Sequence, residues 1–223
     1  MVPTPSELRT RKQNVLRAIR SQLKHLLMPL GFKACKDGEG FDRKIEGGKQ
    51  HFGIALCRNG LRFEFAPVTS MRLGIVENIS NLFSGTPEDL RSGTMTMVVL
   101  PDILTGVERM YPATTQDEIA ASVDEVERLL IETVIPFLDA HQDLKSIDRA
   151  MNKNGLDTSF HPWRAVHSLI VAHLAGNPRF DELVSRYRDE MLNEPPQERA
   201  KYDEVVNYLR GMRPSQNLGA EDN

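Results

Sequence analysis

The side chains in this sequence best suited to chemistry are six histidines, two cysteines and one arginine set among apolar residues. His161, His167 and His173 recur six apart. At about 100° per helical residue each is turned about 240° from the last, so the three share no face and cannot form a helical metal site. No H-E-x-x-H occurs, and His25, His51 and His141 stand without ligand spacing around them, which assigns them structural roles. Cys35 and Cys57 flank the first predicted hairpin. Neither belongs to C-x-x-C nor opens a helix, so both read as buried apolar thiols. Serine and glycine motifs for acyl transfer, nucleoside triphosphates or dinucleotides are absent from the sequence. No metal and no cofactor is expected.

Arg43 is the most informative single residue. Strand alternation puts it on one face with Phe41 and Ile45, while Asp42, Lys44 and Glu46 take the other. A guanidinium on an apolar face needs a carboxylate, a carbonyl or a ligand anion, because an unpaired buried charge costs several kcal/mol. Arg43 therefore marks either an anion-binding pocket or an arginine whose stem packs while its head reaches the sheet edge. Trp163 and Arg164, the first the sole tryptophan, are the other candidate contact residues, since both types are enriched among interface anchors; the competing and favoured reading buries them between the two parts of the chain, where the helical extension begins.

The elements that must position these residues follow from composition and periodicity. With 40% hydrophobic and 26% charged residues and a net charge of -3, the chain has the balance of a globular protein. That balance excludes collagen, coiled coil, a disordered chain and a disulfide scaffold. Charge is uneven along it: ten basic and four acidic residues fall in 1–44, against twelve and twenty in 116–223. A basic start and an acidic end suit an acidic partner, a second copy or nucleic acid. Two cysteines, no signal-peptide pattern and no long apolar run predict a cytoplasmic protein without a membrane segment.

Leu8, Val15, Leu16, Ile19, Leu23, Leu26 and Leu27 recur at helical spacing, so residues 6–29 are expected to form an amphipathic helix that stops at Pro29 and Gly31. The period then changes to two. Strands are expected at Phe41 to Glu46, His51 to Cys57, Leu61 to Phe65, Met71 to Val76 and Thr94 to Leu100, with Asn59-Gly60 as a type I′ hairpin turn. Short connections make the sheet an antiparallel meander. A helix spans Glu77 to Phe83, and Thr115-Gln116-Asp117-Glu118 is a capping box that opens a long helix, which Pro136 should kink. Beyond Asp143 to Asn152 the pattern is helical, at Trp163 to Ala175, Pro178 to Met191 and Gln197 to Gly211.

Leu26-Leu27-Met28-Pro29-Leu30-Gly31-Phe32-Lys33, the Phe41-Asp42-Arg43 strand and Val134-Ile135-Pro136-Phe137-Leu138-Asp139 resemble the marks of an uncharacterised bacterial family. In it a helix ends in an L-x-P-x-G-F corner, an F-x-R strand follows, and a later helix leads to a short I-P-F-L element. The resemblance spans about residues 10–155. It implies an α+β domain of unknown function and does not account for the helical tail.

The expected fold is thus α+β. A leading helix lies on an antiparallel sheet of about five strands within residues 1–155, an all-helical extension over 156–212 packs on it, and 213–223 form a disordered tail. The expected function is non-catalytic binding of another protein, or of a second copy in a homo-oligomer. Two alternatives stand beside it. One is an enzyme or anion binder with a pocket at Arg43; the other is nucleic-acid binding through Arg9, Arg11, Lys12, Arg17, Arg20 and Lys24 of the first helix.

Overall fold

The computed structural model describes residues 4–35, 40–153 and 164–212. The mixed architecture is the expected one: a leading helix, an antiparallel sheet and a helical C-terminal part. Trp163, His161, the expected break at residue 155 and the 213–223 tail lie outside the described residues. The described residues group into two interleaved compact units, one drawn from 4–35, 40–45, 49–70 and 99–140, the other from 46–48, 71–98, 141–153 and 164–212.

The first unit begins with α1 (Pro5–Leu27), held at its start by a capping box in which the Thr4 hydroxyl accepts from the Glu7 amide and the Glu7 carboxylate accepts from the Thr4 amide. Its apolar stripe buries Val15, Ile19, Leu23 and Leu27, each worth about 1.5–3 kcal/mol on removal from water. The stripe packs against α4 (Gln116–Leu129), whose capping box at Thr115 and Glu118 forms as its sequence requires. Past Gly31, Phe32 folds back, its amide donating to the Leu27 carbonyl.

The strands are β1 (Lys33–Ala34), β2 (Gly40–Ile45), β3 (Gly48–Asn59), β4 (Arg62–Leu73), β5 (Met97–Val99) and β6 (Tyr111–Pro112). They are ordered β1-β2-β3-β4-β5, with β6 also paired to β4. Lys33 pairs with Asp42 and Ala34 with Phe41; Phe65 pairs with Tyr111. Two expectations are corrected here. The strands expected at Leu61 to Phe65 and Met71 to Val76 are one continuous β4 that runs through Pro67, and the helix starts earlier, as α2 (Gly74–Ser80). The turn after β3 is not type I′ either: Asn59 stays in the strand and, of the two connecting residues, Gly60 alone has positive φ, at 63°. Positive φ at the first loop position only is the II′ pattern.

Two helical segments, α3 (Pro101–Thr105) and α5 (Ile135–Ala140), complete the first unit. Between α4 and α5 the Ile135 amide donates to the Leu130 carbonyl, five residues back, so one wider turn absorbs Pro136, which has no amide to give.

The second unit is built around α7 (Arg164–Leu174), buried along Ala165 to Ala172. A helix buried at every position from 165 to 172 is enclosed on all sides, and α2, α6 (Leu144–Asp148), α8 (Phe180–Glu190) and α9 (Pro196–Gly211) pack on it. A polar knot ties these helices: Asn152 donates to Asp148 at 2.8 Å and to the Ser168 carbonyl at 3.0 Å, and accepts from the Tyr187 hydroxyl at 2.7 Å. Asn177 donates to the same Asp148 carboxylate.

Candidate functional site

The β2–β3 hairpin carries polar groups on both faces. Its two-residue connection is Glu46-Gly47, so Asp42 and His51 each stand four residues from it, and Arg43 and Gln50 each stand three. Period-two alternation then sends the first pair to one face and the second to the other.

On the face shared with Phe41 and Phe52, Arg43 is engaged by its own chain. Its stem and guanidinium cover Gly31 and the Phe32 ring, 4.8 Å from the ring centre. Nε donates to Gln50 Oε1 at 2.8 Å, and a terminal nitrogen donates to Asp139 at 2.5 Å. Gln50, fully buried, passes the connection on by donating to the Leu138 carbonyl at 2.6 Å. The residues of the Gly31-Phe32 corner, the Phe41-Asp42-Arg43 strand and the Ile135 to Asp139 element are thereby fastened to one another. An arginine on an apolar face needs such partners, and Asp139 and Gln50 provide them.

On the opposite face three potential ligand atoms converge. His51 Nδ1 lies 2.7 Å from Asp42 Oδ1 and 3.9 Å from Cys35 Sγ, and one donor atom from each of the three residues falls within 4.8 Å of the others. Cys35 follows β1, with its amide donating to the Gly40 carbonyl at 2.9 Å and its carbonyl accepting from Arg20 at 3.0 Å. Lys49 donates to the second Asp42 oxygen at 3.1 Å. Burial alone would raise the Asp42 carboxyl, but the hydrogen bonds from His51 and Lys49 and their charges outweigh it and hold it below the ordinary aspartate value. Gly40 makes room for the ring: a Cβ there would stand 2.7 Å from His51 Cε1 and 2.3 Å from the Phe52 carbonyl oxygen.

The arrangement differs from a proton relay. In a Cys-His-Asp relay the two ring nitrogens face different partners, one the nucleophile and one the carboxylate. Here a single nitrogen, Nδ1, faces both.

The expectation that both cysteines are buried is corrected. Neither cysteine is in a disulfide, but Cys57 is exposed and Cys35 only half-buried, because one stands near the outer end of the long β3 strand and the other at the end of the edge strand β1. Arg164 pairs with Glu190 at 2.5 Å. His167 is buried against Glu77, 3.2 Å away, and Thr96 donates to the same Glu77 oxygen at 2.8 Å. Burial works to raise the Glu77 carboxyl, but the hydrogen bond and charge of His167, with help from Thr94 and Thr96, prevail and bring it down to about 2.

Local spacing could not have found the Cys35, Asp42 and His51 cluster, since metal and redox motifs are recognised by ligands close in sequence. Hairpin arithmetic could have. Once the turn is placed at Glu46-Gly47, Asp42 and His51 must face each other.

Comparison of the chain with family models, with curated proteins and with solved structures finds no match in any of the three. Among the described residues no helix is long and apolar enough to cross a membrane.

Proposed function

We propose that the protein is a cytoplasmic, non-catalytic binding module that takes an acidic surface of another protein through the first half of α1. The observation that carries this reading is the exposure of Pro5 to Asn14: none of these residues is buried, only Leu8 is partly covered, and the first buried position is Val15. This stretch holds Arg9, Arg11 and Lys12 with Glu7 as its one acid. Ten residues are too few for a helix to be stable by itself in water, so the cap and the buried half sustain this one. Its cations add to the positive end of the helix dipole, which favours a negatively charged partner. A second copy supplies such a surface in its acidic C-terminal half, which makes a homo-oligomer one form of the same reading. Kinship with the uncharacterised bacterial family belongs to the proposal too, supported by the way Arg43 links the motif residues.

The test uses the full chain and a variant carrying R9E, R11E and K12E. Sedimentation at low and high salt, and anisotropy titrations with a labelled acidic peptide and a labelled DNA duplex, are the readouts. The reading predicts self-association or peptide binding that weakens with salt and is lost in the variant. Tighter binding of the duplex, with a steep salt slope, would move the function to nucleic acid. No binding of any of the three would overturn it.

A further inference from the structure

Beyond that reading, we propose that Cys35, Asp42 and His51 form a binding site for a divalent transition-metal ion of the zinc class. The donor set is what such an ion prefers. A thiolate, an imidazole and a carboxylate are ordinary zinc ligands, and three protein ligands leave a fourth tetrahedral position for solvent or a further ligand. Sulfur, nitrogen and oxygen around one zinc ion stand about 3.3–3.6 Å apart at usual bond lengths. The pair separations of 3.9 Å from Sγ to Nδ1 and 2.7 Å from Nδ1 to Oδ1 reach that range with side-chain adjustments under about 1 Å.

The surroundings favour ligation over a simple hydrogen-bonded cluster. The backbone of Cys35 is fixed on both sides by Gly40 and Arg20, the His51 ring is seated over a glycine, and Lys49 holds the far oxygen of Asp42 so that the near one faces the imidazole. Second-layer contacts of this kind orient metal ligands. Charge also balances, because thiolate and carboxylate together carry -2 against the ion's +2. Binding releases the thiol proton, and Nδ1 enters as the neutral acceptor with the ring proton on Nε2, so the Nδ1 hydrogen bond to Asp42 is exchanged for two bonds to the ion. The groups lie at a partly exposed surface, with 20% of the His51 side chain and 33% of Asp42 open to solvent, so an ion can reach them.

The experiment is a titration of the full reduced chain with cobalt(II), followed by zinc(II) competition, in wild type, C35S, D42N and the control C57S. The proposal predicts one equivalent bound, a thiolate-to-cobalt charge-transfer band, and its removal by zinc. C57S should behave as wild type. C35S should lose the band and D42N should bind weakly; losing an outer contact alone costs about 10- to 100-fold in affinity, and losing a ligand more. Circular dichroism of each variant separates loss of the site from loss of fold. An absent band in folded wild type, a band that persists in C35S, or one that vanishes in C57S would overturn the assignment.

Discussion

Of the three carboxylate–imidazole pairs among the described residues, His25 with Glu127 lies at the surface, and the other two are opposites. Glu77 and His167 are almost completely buried, with Thr96 donating to the pair. Asp42 and His51 are partly exposed, with Lys49 on one side and a thiol on the other. In the first, the surroundings are helices and strand ends that gain by being tied together. In the second, the strands are already held by their backbone ladder, so the side chains add little to the fold. The same two functional groups thus serve cohesion where water is excluded and remain available for a ligand where it is not.

The largest effect that could break this contrast is removal of Glu77. E77A leaves the buried imidazole without its carboxylate and should cost about 3–5 kcal/mol in urea unfolding, where a loss below about 1 kcal/mol would show that the pair does not hold the fold. Acid should act through the same group. The Glu77 carboxyl lies at about 2 when folded against 4.5 unfolded, so its contribution is complete above 4.5 and fades as pH falls toward 2. The shift corresponds to about 3 kcal/mol, and unfolding curves between those limits should flatten in E77Q. On the Arg43 face, R43M leaves the buried Gln50 oxygen without its donor and should cost about 1–3 kcal/mol, with little of that from the exposed Asp139 contact. H51A, at the open pair, should change stability by less than about 1 kcal/mol without metal.

Much of the fold was legible because it rests on local rules. The leucine spacing of α1, its stop at Pro29 and Gly31, and the Thr115-Glu118 capping box each act within a few residues. β1 and β6 were not legible, as two residues carry no periodicity. β4 reads as two strands because the alternation of Leu61 to Phe65 and that of Met71 to Val76 do not join across Pro67, a residue rare in a strand interior. Arg43 was legible as a residue needing a partner, yet Asp139 is 96 residues away and nothing local names it. The Cys35, Asp42 and His51 cluster failed for the same reason at shorter range: strand pairing assembles it, and a ligand-spacing rule does not see pairing.

The central claim is that one pair serves the fold and the other a ligand. The most direct test is the thermal unfolding midpoint of wild type, E77Q and H51A, each with and without equimolar zinc. The account predicts that E77Q unfolds at lower temperature yet keeps the zinc-induced rise, whereas H51A keeps the metal-free midpoint and loses that rise. An H51A protein still stabilised by zinc, or an E77Q protein as stable as wild type, would contradict it.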